Sequence, residues 1–225
     1  SNSMADIEVI SLGYEFLKKL DIIGNITLKI NSLGDTDSRV NYRKVLIEYL
    51  NDYRSKLSED SIKRLSENPL RILDSKNAVD QKILINAPNV LDYLNEESRE
   101  RFENVCEGLN VLKIKYEIDK NLVRGLDYYC HTAFEFMTDE LGAQGTVLAG
   151  GRYDGLSKML GGVEVPGVGW AAGVERLALM VQSEYINSPD IVLMAQTELY
   201  NHLLLPIMNK LINQGFKVEI IYTGN

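Results

Sequence analysis

The sequence predicts an α+β fold: an antiparallel sheet with flanking helices, interrupted by a helical insertion and followed by the start of an α/β unit. Three observations predict it. Strand-period segments at 112–118, 130–137 and 145–151 follow one another without a helical stretch between each pair, as antiparallel neighbours do. Residues 35–110 are polar, charged and helical in period, and they fall between two strand signals. From Ile191 to Tyr222 a strand, a helix and a second strand make one βαβ unit.

Each element follows from its pattern. Ser1-Asn2-Ser3 is expected to have no part in the fold. From Ala5 to Leu20, Ile10, Tyr14, Leu17 and Leu20 recur at helical spacing, with Asp6 and Glu8 early and Lys18 and Lys19 late, as the helix dipole favours. Ile26, Leu28 and Ile30 alternate with Thr27, Lys29 and Asn31, a half-buried strand that Gly34 ends. Within 35–110, Tyr42, Val45, Leu46, Tyr49 and Leu50 line one helical stripe, and Asp60-Ser61 opens a short helix that stops before Pro69. Asn95 is the expected N-cap of a helix through Cys106, with Gly108 as its C-cap. Strand character returns at Leu112, Ile114, Tyr116 and Ile118, then at 130–137 and at 145–151. A short helix at 153–160, a Gly161-Gly162 turn, a glycine-rich strand at 166–172 and a helix at 174–182 follow. Asn187-Ser188-Pro189 predicts a linker. The βαβ unit after it, 37 residues at 189–225, is too small to bury a core alone, so the chain is expected to be truncated.

Composition removes several function classes. The 225 residues are 45% hydrophobic and 25% charged, ordinary for a globular chain. A net charge of −8 excludes a basic coat over the whole surface but not a local patch. Two cysteines, Cys106 and Cys130, make no disulfide framework, and no CxxC or His/Cys motif predicts a metal site. No apolar run reaches membrane-spanning length, and no signal peptide opens the chain, so a cytoplasmic setting is expected.

Three glycine-bearing stretches concentrate the chemistry. In Leu122–Tyr129 (LVRGLDYY) a guanidinium capable of gripping a carboxylate or phosphate stands beside glycine and two phenols; a plain strand-opening turn fits the same residues. In Ala149–Gly155 (AGGRYDG) Asp154 is placed to cap or to pair with Arg152, again within what a structural turn allows. In Pro166–Arg176 (PGVGWAAGVER) glycines leave room for a flat ligand on a sheet, and Arg176 in a first helical turn sits against the dipole unless it faces an anion. Neither a dinucleotide fingerprint nor a P-loop is present. His131 reads as a packed strand residue, and Cys130 has no base near it in sequence.

LVRGLDYY, TAFEF (132–136), LAGGRYDGL (148–156) and PGVGWAAGVERLAL (166–179) resemble, in this order and spacing, the histidyl-tRNA synthetases of class II; ADIEVI, LKKL, LKINSLGD and NPLRILDSK extend the resemblance over nearly the whole chain. It implies a six-stranded antiparallel class II sheet with flanking helices. The catalytic core would take 4–34 and 111–187, the helical insertion 35–110, and a partial α/β anticodon-binding domain 189–225. It implies ATP-dependent activation of histidine to histidyl-adenylate, transfer to tRNA(His), Mg2+ accompanying ATP, and a homodimeric full-length enzyme with no membrane partner.

Role by role, the resemblance makes Arg124 the catalytic arginine, neutralising the α-phosphate and holding the histidine carboxylate. Tyr128, Tyr129 and Tyr153 would line the histidine pocket. Arg176 would stack on adenine and reach phosphate, Gly169, Ala171 and Gly173 would keep the sheet flat beneath the nucleotide, and Glu135 would touch nucleotide or magnesium. Motifs 1 and 2 have no counterpart, so the chain alone is expected to be inactive. Fourteen of the 24 Lys and Arg lie between 35 and 115, among 15 acidic residues, where the family's insertion reaches toward the acceptor stem. Two alternatives share the fold: a synthetase-like regulatory subunit of ATP phosphoribosyltransferase, and a synthetase-like domain that senses tRNA.

Overall fold

The computed structural model describes residues 2–126, 128–142, 145–181 and 188–222. Asp127 and Asn187, which the sequence places in a motif and a linker, and Gln182, read as a helix end, lie outside them. The chain divides into two compact units, Ser1–Val181 and Gln182–Asn225.

The first unit is built on a five-stranded sheet. Its strands are β1 (Thr27–Ser32), β2 (Glu117–Ile118), β3 (Cys130–Met137), β4 (Thr146–Arg152) and β5 (Val168–Ala172), in the spatial order β2-β1-β3-β4-β5. The β1, β3, β4 and β5 neighbours are antiparallel, as the run of strand signals predicts. The two-residue β2 pairs parallel to β1, at the sheet edge. The described sheet thus has five strands, one of them parallel, where the resemblance implied six antiparallel ones.

Alternation gives the sheet two unlike faces. Leu28, Ile30, Phe134, Phe136 and Leu148 are buried against helices α1 (Ser3–Lys19) and α5 (Glu96–Val111). Gly108 lies inside α5, not at its end: a Cβ there would stand 2.3 Å from Ile7 Cδ1, so the missing side chain lets α1 and α5 approach. The helix ends instead at Lys113, left-handed at φ 57°. Bonds from Ile114 N–H to Leu109 O (3.0 Å) and from Lys113 N–H to Asn110 O (2.9 Å) close that turn. This corrects the strand expected from Leu112: only Glu117 and Ile118 pair, because α5 continues past Cys106. The N-terminus also needs correction. Ser3 is helical, and the Asn2 carbonyl accepts from Arg152 Nη2 at 3.5 Å.

Helices α2 (Thr36–Asp52), α3 (Glu59–Glu67) and α4 (Ala78–Leu84) form a second core around Tyr42, Leu46, Leu50, Ile72 and Leu84. Its centre holds a buried carboxylate. Asp80 accepts from the hydroxyls of Ser58, Ser61 and Ser75, each at 2.7 Å, and from Ser58 N–H at 2.9 Å. The helices α2 and α5 cap each other. Asp35 accepts from Ser38 N–H (2.8 Å) and Asn95 from Ser98 N–H (2.9 Å). Ser38 Oγ accepts from Asn95 N–H, Ser98 Oγ from Asp35 N–H, and Asn95 Nδ2 donates to Asp35 at 2.7 Å. The expected N-cap at Asn95 is therefore present. Although it falls almost wholly within 35–110, α5 sends Phe102, Val105 and Leu109 into the core shared with α1.

Short helices α6 (Leu156–Met159) and α7 (Val174–Met180) flank β5. In the second unit, β6 (Ile191–Met194) and β7 (Val218–Ile221) pair in parallel, joined by α8 (Asn201–Ile212) and a left-handed Gly215 at φ 92°. This is the βαβ unit the pattern predicts. Among the described residues no helix is long and apolar enough to cross a membrane.

Candidate functional site

The sheet face away from α1 and α5 is polar. The β1–β3 register sets Lys29 opposite Glu135, and the β3–β4 register sets Glu135 opposite Ala149. Glu135 is the hub of this face. Its Oε1 accepts from Arg124 Nη1 at 2.7 Å and its Oε2 from Thr146 Oγ1 at 2.9 Å. The Thr146 carbonyl accepts from Arg176 Nη1 at 2.5 Å. Arg124, Glu135 and Arg176, from three separate segments, are thus joined through Thr146, which the sequence reading did not single out. Two unlinked arginines serve different atoms of a ligand only if something fixes their spacing, and this relay does so.

Arg124 is 20% exposed at its side chain and does not point into bulk water. Its Cζ lies 5.3 Å from the ring centroid of Tyr129, within cation–π reach. Three phenols gather beside it. The rings of Tyr128 and Tyr129 are 4.8 Å apart, and Tyr153 meets them edge-on at 6.4 Å and 6.1 Å. Burial, and then the neighbouring Tyr129, push Tyr128 above the usual phenol pKa, so its O–H stays a donor through neutral pH.

The glycines sort themselves between these two clusters. A Cβ on Gly169 would stand 2.8 Å from the Tyr153 hydroxyl, so this glycine makes room for a tyrosine ring. At Gly173 it would meet Arg176 Cδ at 3.3 Å. Thr146, Ala149, Ala171, Gly173, Glu175 and Arg176 border a cavity of about 480 Å³, within the range of small-molecule sites. Glu135 also borders a cavity of about 590 Å³ with Lys29, Lys76, Lys82 and Asp119.

Buried charges hold the site in place. Arg152 is fully buried and forks onto Asp6, with Nε at 3.0 Å from Oδ1 and Nη2 at 3.0 Å from Oδ2. Its Nη1 donates to Asp154 Oδ1 at 2.9 Å, the pairing the AGGRYDG turn allowed. Burial opposes the charge on Arg152, but the carboxylates of Asp6 and Asp154 outweigh it and raise its pKa further. Asp154 Oδ1 accepts from Gly167 N–H as well, at 3.0 Å, which ties the Tyr153 turn to the approach to β5. The insertion contributes too. Arg39 Nη1 donates to the Tyr129 carbonyl at 2.7 Å, and the Arg71 guanidinium lies where a Gly125 side chain would stand, with Nη2 3.1 Å from that position. The Asp6, Arg39 and Arg71 contacts were not legible because they span between 54 and 146 residues of sequence.

A second grouping runs against the sequence reading, which found no metal motif. Cys130, His131 and Asp154 each bring a potential ligand atom to within 4.8 Å of the other two. Burial raises the Cys130 pKa and, with Arg101, lowers that of His131.

A family model described as histidyl-tRNA synthetase matches residues 1–177. Curated histidine–tRNA ligases are similar along the chain: that of Rhodospirillum rubrum is 49% identical over 225 residues, all of this chain and 54% of that protein. That of Rickettsia bellii is 54% identical over 179 residues, 79% of this chain and 43% of that protein. The chain therefore spans about half the length of the curated relatives it matches. Among solved structures, apo S. aureus histidyl-tRNA synthetase superposes with a TM-score of 0.69 at 31% identity, over 100% of this chain and 56% of that one. An ATP phosphoribosyltransferase regulatory subunit/histidyl-tRNA synthetase from Bacillus halodurans, at 16% identity and a TM-score of 0.54, shares the fold.

Proposed function

The chain belongs to the histidyl-tRNA synthetase family, and from that premise we propose that its polar sheet face is where the parent protein activates histidine with ATP before transfer to tRNA(His). One observation carries the reading: Arg124 stands over Tyr129, beside Tyr128 and Tyr153, and is tied to Arg176 through Glu135 and Thr146. A carboxylate bound at Arg124 with its imidazole among the phenols would lie next to a nucleotide over Ala149, Ala171 and Gly173, under Arg176. A carboxylate oxygen attacks the α-phosphorus, the bond to the bridging oxygen breaks, and pyrophosphate leaves. Arg124 then faces the charge that develops at the α-phosphate, where a fixed donor acts most strongly. A phenol bonded to one imidazole nitrogen selects histidine, because another side chain leaves that polar group unpaired.

Both oxygens of Glu135 are engaged, which disfavours it as a ligand for Mg2+ and favours it as the brace of Arg124. The donors on this face suit a Mg2+ carried in on the nucleotide phosphates better than one held by the protein. Family membership supports, as part of the same proposal, a homodimeric parent, a cytoplasmic setting and contact of the insertion with the tRNA acceptor stem. Arg124 with its tyrosines favours this reading over a regulatory subunit or a tRNA sensor.

The test is calorimetry of the chain with histidine and with a non-hydrolysable histidyl-adenylate analogue. The analogue is expected to bind, and Arg124→Gln is expected to weaken it by about 10²-fold or more, the scale of losing one preorganised donor. Equal affinity in the variant sinks the assignment.

A further inference from the structure

In a regular strand consecutive side chains point to opposite faces. Cys130 and His131 break that rule. His131 has a φ of 47°, and the pairing of β3 with β4 slips between Cys130 and Ala133. This bulge aims the imidazole and the thiol at a common point, as bulges do where a side chain must be redirected. Asp154, just past the end of β4, supplies a carboxylate there, and one ligand atom of each residue lies within 4.8 Å of the others.

The surroundings are those of a built site. His131 Nδ1 is shut off from solvent and has no hydrogen-bond partner among the described residues. Leaving such an atom unmatched is unfavourable, so it calls for an explanation. Asp154 is already oriented, since Arg152 Nη1 and Gly167 N–H both hold its Oδ1. Bonds of this kind set the direction of metal ligands. Around His131 the charges of Arg101 and Arg152 oppose those of Asp154 and Asp35, and Arg39 also faces Cys130. Sulfur, imidazole nitrogen and one carboxylate oxygen form the donor set of a borderline-soft dication. Mg2+ and Ca2+ call for oxygen alone.

We propose that Cys130, His131 and Asp154 form a three-ligand site for a thiophilic divalent cation, Zn2+ by donor chemistry, with water as the fourth ligand. Zinc bonds of about 2.0–2.3 Å place tetrahedral ligands about 3.3–3.8 Å apart, so loading draws the three groups together by up to about 1.5 Å. Tyr129 and Tyr153 each immediately precede a ligand, so the ion also fixes the two phenols relative to one another. The site needs neither histidine nor nucleotide and stands independently of the activation reading.

The experiment is a titration of the purified chain with Co2+, read by absorption. A thiolate-to-cobalt charge-transfer band and the strong visible bands of four-coordinate cobalt are expected, saturating at one equivalent and displaced by Zn2+. Cys130→Ser should abolish the charge-transfer band, and His131→Gln should weaken binding at least about tenfold, the loss that even an outer-shell change brings. Cys106→Ser, in α5, should leave both unchanged. In the unaltered chain, Zn2+ should slow alkylation of Cys130 but not of Cys106, read by peptide mass spectrometry, so the outcome does not depend on the variants folding. Absence of the band, its survival in Cys130→Ser, or equal alkylation of Cys130 with and without Zn2+ overturns the proposal.

Discussion

Two fully buried charges are satisfied in opposite ways. Arg152, between α1 and the sheet, is neutralised by the carboxylates of Asp6 and Asp154. Asp80, in the helical insertion, meets no cation among the described residues and rests on three serine hydroxyls and a backbone N–H. An ion pair in a core is fragile to the loss of one partner, because the other charge is left stranded. An anion held by several neutral donors loses them one at a time. The difference follows from chemistry nearby. The Arg152 network anchors Tyr153 and Asp154 at the candidate site, where fixed orientation matters, whereas the Asp80 hub joins α3, α4 and the turn before α4 far along the insertion.

The largest expected effect comes from breaking the ion pair. Asp6→Ala should cost about 3–5 kcal/mol in denaturant unfolding, because it takes the forked partner from the buried Arg152 and leaves it Asp154 alone. The double change Asp6→Leu with Arg152→Met should recover most of that loss, and failure to do so would mean that geometry, not charge, dominates there. Next comes Asp80→Asn, which keeps an oxygen but removes the charge that strengthens its bonds; a loss of about 1.5–3 kcal/mol is expected in the same measurement.

The smallest effect is with acid. Burial raises the pKa of Asp80, but the bonds from Ser75, Ser58 and Ser61 outweigh it and hold it below the usual carboxylate value. Its stabilisation is therefore complete above the unfolded-state pKa of about 3.9 and is lost as pH falls through the lower folded value. Midpoints of chemical unfolding followed across pH 5 to 2, with Trp170 emission as the signal from the sheet core, should fall less steeply in Asp80→Asn than in the parent chain. Parallel slopes would remove Asp80 from the acid response.

The sheet was legible because alternation at Ile26–Asn31 and Cys130–Met137 reports directly which face is buried, and the βαβ unit because its punctuation is regular. The boundary at α5 was not. The rule that glycine ends a helix pointed to Gly108, but that glycine serves a helix crossing with Ile7, and the left-handed end fell to Lys113. Of the candidate site, the local motifs carrying Arg124, Tyr128, Tyr129, Tyr153 and Arg176 were legible as strings, and the fold groups them. Thr146 was not, since its part is played by one hydroxyl and one carbonyl that no pattern marks. The Cys130–His131–Asp154 grouping was hidden for the opposite reason: adjacent strand residues are assumed to diverge, and only the bulge makes them converge.

The reciprocal capping of α2 and α5 has an evolutionary consequence. Asp35 and Asn95 are a hydrogen bond apart, so everything between them leaves and re-enters the domain through one gateway. Doubling the length of a closed flexible loop costs only about 0.6 kcal/mol, so what hangs from such a gateway can be lengthened, trimmed or exchanged for a graft while the sheet beneath it stays whole.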